Sequence, residues 1–148
     1  NESQKDILFK KIKSYYGSNL KGMTISVWGI AFKPDTDDIR YAPSINLIKK
    51  LASAGVIIKA YDPVATLKGN YKFKPNMYKE YNNPLNAIKN SDALVICTEW
   101  KEFWSIDPLK LKKLLKSPVI FDGRNIYSPN VMKKAGITYI GIGSNNLD

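Results

Sequence analysis

The chain has 148 residues, 24% of them charged, with a formal net charge of +10, one cysteine and no histidine. That length buries roughly two-thirds of the unfolded surface, enough for one domain that folds without staples. The single cysteine excludes an intramolecular disulfide, and the missing histidines exclude the usual zinc sites and histidine-based triads.

The first segment, "SQKDILFKKIKSYYG", places Ile7, Leu8, Lys11, Ile12 and Tyr15 or Tyr16 at three- and four-residue intervals. This predicts an amphipathic helix with Ser3 as N-cap and Gly17 as its stop. "MTISVWGI" follows as an apolar, β-branched strand. From Pro43, suited to a first helical turn, "PSINLIKKLASAG" sets Ile45, Ile48, Leu51 and Ala52 on one side and ends at Gly55. A second strand, "VIIKAYDP", closes at Asp62 and Pro63. Strand, loop, helix and strand in this order make a βαβ unit with parallel strands.

The stretch from Val64 to Asn83 is polar and aromatic and reads as a loop with a short edge strand. "PLNAIKNSD" gives a short helix, "ALVICT" a third strand, "DPLKLKKLLK" a clear helix and "PVIFDG" a fourth strand. "SPNVMKKAG" is a last helix with Ser128 as N-cap, "ITYIGIG" a fifth strand, and "GIGS" at its end a turn. The alternation predicts an α/β, Rossmann-like open sheet, mostly parallel, of about five to six strands with helices on both faces and a helix in front.

In such sheets ligands bind beyond the carboxyl ends of the strands. The stretches there are "AFKPDTDDIR", "DPVA", "TEWKEFW" and "DGRN", the most chemically unusual in the chain. Lys33 and Arg124 on one edge can converge on an anion while Phe32 or Trp100 offers an apolar face, a mixture that fits a nucleoside diphosphate. Against this stands a purely structural use: Arg40 pairing with a carboxylate of "DTDD", and Asp35, Asp37 and Asp38 closing the loop on backbone amides. After the first strand Gly29 is followed by no glycine before Gly55, so a complete dinucleotide fingerprint is missing. Cys97 lies within the apolar "ALVICTEW" and reads as a small core residue.

The positive charge raises nucleic acid as a partner. The lysines of "FKKIK", "IKK", "KLKKLLK" and "MKK", however, recur at helical spacing, so solvated helix faces account for them and nucleic acid is not expected. No apolar stretch is long enough to span a bilayer as a helix and no signal peptide is visible, so the expectation is a cytoplasmic protein with no membrane partner.

"VWGIAFKPDTDDIRYAPS", "AYDPVA", "SDALVICTEWKEF" and "FDGRNIYSP" resemble, in order and spacing, the C-terminal part of the UDP-glucose 6-dehydrogenase family within the wider UDP-glucose/GDP-mannose dehydrogenases. These enzymes oxidise the C6 alcohol of a UDP-hexose to a carboxylate with two NAD⁺. The resemblance implies that residues 1–20 are the end of a central connecting and dimerisation helix and that residues 21–148 are the UDP-sugar-binding domain. It implies that Phe32, Lys33 and Arg124 contact UDP-glucose or UDP-glucuronate, and that Arg40 reaches across a domain interface toward NAD, itself held mainly by a domain outside this chain. A homodimer or higher oligomer of the full-length enzyme is implied as well.

The family's cysteine nucleophile belongs to a glycine-rich motif that nothing here matches, so no catalytic residue is assigned and the chain alone is expected to be inactive. Tyr41 and Ile30 depart from the residues common in the family. A sister enzyme acting on a UDP-N-acetylhexosamine or GDP-mannose is the alternative within the class, and a basic nucleic-acid-binding module the alternative outside it. A start at Asn1 without methionine, in mid-helix by family comparison, leads to the expectation of a fragment.

Overall fold

The computed structural model describes residues 6–143. Helix α1 spans Ile7–Tyr16 and strand β1 Thr24–Trp28; α2 (Pro43–Ser53) and β2 (Ile57–Tyr61) follow. Next come β3 (Tyr78–Tyr81), α3 (Pro84–Ile88), β4 (Ala93–Ile96), α4 (Lys101–Trp104), α5 (Pro108–Leu114), β5 (Val119–Asp122), α6 (Pro129–Lys134) and β6 (Thr138–Gly141). The six strands form one sheet in the order β3-β2-β1-β4-β5-β6, with every neighbouring pair parallel. The Rossmann-like expectation is met, and the polar centre of the chain supplies the edge strand β3.

Each helix start has a local reason. Proline opens α2, α3, α5 and α6, where its missing N–H costs no hydrogen bond. Asn83, Asp107 and Ser128 then cap α3, α5 and α6 by accepting backbone N–H groups. At α1 the residue before the helix is Asp6, and its carboxylate bonds Lys50 at 2.7 Å and Asn46 at 2.9 Å on α2 instead of capping. The predicted cap Ser3 lies outside the described residues, as does Ser144 of the predicted last turn.

The two faces of the sheet follow from strand alternation. Val27, Val95 and Phe121 share one row. On their side α1 and α2 pack together, with the Tyr15 and Tyr16 rings against Phe121. Ser26 and Trp28 point the other way, toward α3, where the Ser26 hydroxyl donates to the Ala87 carbonyl. In α2 Ser44, Leu47, Ile48 and Leu51 are fully covered, while Ile45 and Ala52 are partly buried against the same core, so the inward face is wider than the spacing predicts and takes in Leu47.

Within the "TEWKEFW" stretch, where no helix is expected from the sequence, the short helix α4 fills the space over Trp28. Its Phe103 ring stacks on the Trp28 indole with centroids 4.6 Å apart, and the indole Nε1 donates to the Pro84 carbonyl. The Tyr127 hydroxyl donates to the Phe103 carbonyl at 2.6 Å, fixing α4 against the loop after β5. Both rings are fully buried, so truncation leaves a cavity as well as lost transfer energy. Trp28→Ala is expected to lower the unfolding free energy by about 3–5 kcal/mol, read as a shifted urea midpoint with an unchanged slope.

Candidate functional site

All six strands end at one edge, and the loops leaving β1, β2, β4 and β5 are tied together there. Gly29 has a φ of 96°, and a Cβ on it would lie 2.5 Å from the Cβ, N and Oγ1 of Thr98. No other residue type fits, because both the backbone region and the space favour glycine. The Thr98 hydroxyl donates to the Ala31 carbonyl, locking the exit of β1 to the exit of β4.

Asp62, the residue after β2, is the anchor of this edge. Its Oδ2 accepts from the backbone N–H groups of Ile30 and Ala31 at 2.7 and 2.9 Å and from the Trp100 indole at 3.2 Å. Its Oδ1 accepts from Val64 and Ala65 at 2.8 and 2.7 Å. One carboxylate therefore satisfies donors from three loops that have no strand partner. Trp100, expected to offer an open apolar face, is instead buried and held by this bond.

Asp122, the last residue of β5, plays the same part. It is fully buried and accepts from the N–H groups of Arg124 and Ile126, both at 2.8 Å, and from the Tyr139 hydroxyl at 2.6 Å. Burial, followed by that bond to a carboxylate, pushes the Tyr139 phenol well above its ordinary pKa, so it stays a donor. The Gly123 N–H donates to the Ile96 carbonyl at 2.8 Å, joining the β5 loop to β4.

On this frame stand the residues singled out in the sequence. Phe32 is 40% exposed, and the Lys33 ammonium lies 5.4 Å from the centre of its ring. Arg124 extends from the β5 loop toward the β4 loop, where its guanidinium meets Glu99 at 2.8 Å. The other Glu99 oxygen, Oε1, is buried without a hydrogen-bond partner among the described residues. Phe32 and Lys33 are thus in mutual contact, and Arg124 is linked to them only through the β4 loop.

Arg40 is held apart from this group. Its Nε and Nη2 bond the two oxygens of Asp38 at 3.0 and 2.8 Å, and its side chain is 81% exposed. The loop closes on itself through the Phe32 N–H and the Asp38 carbonyl at 3.0 Å. The Asp38 Oδ1 also accepts from the Arg40 backbone N–H at 2.9 Å, so its side chain shapes the loop as its residue type suggested. The Arg40 hydrogen bonds hold the Asp38 carboxyl at about 2, below the ordinary 3.8.

The sequence places Asp62, Glu99 and Asp122 at strand ends but assigns none of them a role. The available signal was a carboxylate at or just beyond the end of a strand, in "AYDP", "CTE" and "FDG". These groups organise the edge, whereas Phe32, Lys33 and Arg124 present cationic and aromatic surface to solvent. Such a surface suits a phosphate-bearing ligand with a flat ring. It does not suit a whole dinucleotide: Gly29 spends its missing side chain on Thr98, and α2 begins only at Pro43, well after β1. Among the described residues no His, Cys, Asp or Glu group is arranged to hold a metal, and no helix is long and apolar enough to cross a membrane.

Residues 26–129 match the UDP-glucose/GDP-mannose dehydrogenase family, UDP binding domain. Over 97% of its length the chain is 37% identical to a UDP-glucose 6-dehydrogenase of Pseudomonas aeruginosa and 41% identical to the UDP-glucose 6-dehydrogenase TuaD of Bacillus subtilis. It covers 32% and 31% of those proteins, so it spans about a third of the curated relatives it matches. Among solved structures, the NDP-N-acetyl-D-galactosaminuronic acid dehydrogenase of Methanosarcina mazei aligns over 97% of this chain and 29% of its own, with a TM-score of 0.78 and 26% identity.

Two measurements check the site chemistry. The Asp38 pKa is lowered by folding, so its contribution to stability is complete above the ordinary 3.8 and is lost as pH falls through about 2. A carboxyl-carbon NMR titration is expected to show that low midpoint, and Arg40→Ala to return it toward 3.8. Burial pushes the Cys97 thiol up to about 12, so it stays protonated at neutral pH. Its reaction with a disulfide reagent is expected to follow the unfolding rate and to be absent from the native chain.

Proposed function

Because the chain belongs to the UDP-glucose/GDP-mannose dehydrogenase family and carries its UDP binding domain, we propose that it is the nucleotide-sugar-binding part of an NAD-dependent UDP-glucose 6-dehydrogenase, which oxidises UDP-glucose to UDP-glucuronate. Phe32, Lys33 and Arg124 hold the UDP-sugar, and Arg40 extends toward NAD bound mainly by a domain outside this chain. Within residues 1–20, helix α1 (Ile7–Tyr16) serves as the end of a connecting helix used in dimerisation, and residues 21–148 make up the binding domain.

The observation that carries this reading is the carboxyl edge itself. Lys33 and Arg124 rise from opposite sides of β4 on loops that are each fixed to the β4 loop, and both lie inside the stretch that matches the family. The switch in strand order falls between β1 and β4, where ligands of open α/β sheets sit. Arg124 brings a planar fork and Lys33 a mobile point charge, the pair of donors a diphosphate calls for.

Catalysis by this chain alone is not part of the proposal: Cys97 is a buried, protonated core residue. Its contribution is positioning, which removes translational and rotational freedom from the sugar before reaction. The names of the curated relatives favour UDP-glucose. The solved NDP-N-acetyl-D-galactosaminuronic acid dehydrogenase supports a second reading, a nucleotide-linked N-acetylhexosamine as the substrate. Relative kcat/KM of the full-length protein on the two nucleotide sugars decides between them.

Calorimetric titration of the chain with UDP and UDP-glucose is expected to give saturable binding. Lys33→Ala and Arg124→Ala should each weaken it by about tenfold, the usual worth of a charge-assisted bond, while leaving any uridine binding unchanged. A folded chain that gives no saturable heat at millimolar UDP would overturn the reading.

A further inference from the structure

A concave surface lies at the end of the sheet away from the carboxyl edge, on the α3 face, bordered by the first residues of β1, β2 and β3. It is open to solvent, with a volume of about 810 Å³. Its polar lining is dominated by Lys59, Lys79 and Lys89, with the amides of Asn86 and Asn90 and the ring of Tyr81. No aspartate or glutamate lines it.

The register explains why these cations share a face. Lys59 of β2 pairs with Lys79 of β3 and with Ser26 of β1, and Ser26 faces α3. Both ammonium groups sit over one ring, Lys59 at 5.3 Å and Lys79 at 4.9 Å from the Tyr81 centroid. The Lys59 ammonium also donates to the Lys89 carbonyl, at the end of α3, which draws the third lysine in.

Nearby carboxylates are engaged elsewhere. Glu80 alternates to the opposite face, where it accepts from Thr66, Leu67 and Tyr78. Asp92 accepts from the Thr24 N–H at 2.9 Å and faces Lys116 at 4.0 Å. Partial burial, then the charges of Lys79 and Lys89, push the Lys59 ammonium below its ordinary pKa. Three like charges are therefore gathered around a recess with no counter-charge in its wall.

We propose that this recess is an anion site for a phosphate chain, a di- or triphosphate, separate from the carboxyl-edge site and independent of the function assigned to it. Lysines suit such a ligand as point charges spaced along successive phosphates, and the asparagine amides add neutral donors. A small ligand fits better than a nucleic acid, because Lys59 sits half-buried in the recess and not on a ridge that could follow a backbone.

The test is an amide NMR titration of the 148-residue chain with tripolyphosphate. Saturable shifts are expected at Lys59, Lys79, Asn86, Lys89 and Asn90. The double variant Lys79→Ala, Lys89→Ala, at two exposed positions that leave the core intact, should weaken binding there by at least about tenfold. Lys33→Ala with Arg124→Ala, at the far edge, should change it by less than about twofold. Shifts confined to the Lys33 and Arg124 edge, shifts spread evenly over the lysines of α1 and α5, or no saturation would overturn the proposal. So would tighter binding of a single-stranded oligonucleotide that ignores Lys79 and Lys89.

Discussion

The carboxylate of Asp62 is the contact on which the upper edge of the fold depends. Parallel strands end with donors that have no ladder partner, and at this edge four such N–H groups, joined by the Trp100 indole, come from three loops to one side chain. A protonated or amide side chain at that position has fewer acceptor sites and leaves N–H groups buried without partners. The positions of Phe32 and Lys33, one and two residues beyond Ala31, are consequences of that anchoring. Asp122 repeats the device for Arg124, with Tyr139 as the extra donor. Acidic residues thus set the geometry, and basic ones face outward from it.

This division also explains how a chain with a charge of +10 keeps well-defined cationic sites. Arg40 is neutralised within its own loop by Asp38, and Arg124 is held in a fixed direction by Glu99. Lys33 leans on an aromatic ring instead of a carboxylate. An ion pair whose arginine is nearly half exposed contributes little to stability by itself but limits the orientations that arginine samples.

Most of the architecture was legible because strand and helix periods, prolines at N1 and polar caps agree along the chain. Asn83, Asp107 and Ser128 each precede a proline and each cap a helix, so those boundaries carry their own chemistry. Helix α4 was not legible: "KEFW" is four residues long, too short for a period, and exists because Phe103 stacks on Trp28 from a distant part of the chain. For the same reason Trp100 read as an open ring, since only the fold shows that its indole turns inward to Asp62. Lys33, Phe32 and Arg124 were legible as residue types at strand ends, whereas the carboxylates holding their loops were visible only as ordinary turn residues. The cluster of Lys59, Lys79 and Lys89 needed the register between β2 and β3, which no local pattern encodes.

The central place of β1 has a kinetic meaning. Its partner on one side, β2, follows after a single helix, but its partner on the other side, β4, is far along the chain: the Thr24 N–H meets Asp92 across a separation of 68 residues. Closing so long a segment costs entropy before any pairing returns it, which places this topology among the slower folders of its size. Until β4 is available, the β1–β2–β3 half carries the apolar strand Thr24–Trp28 as an open edge. During synthesis that edge is the segment most exposed to mispairing, and the arrival of β4 is the event that closes it.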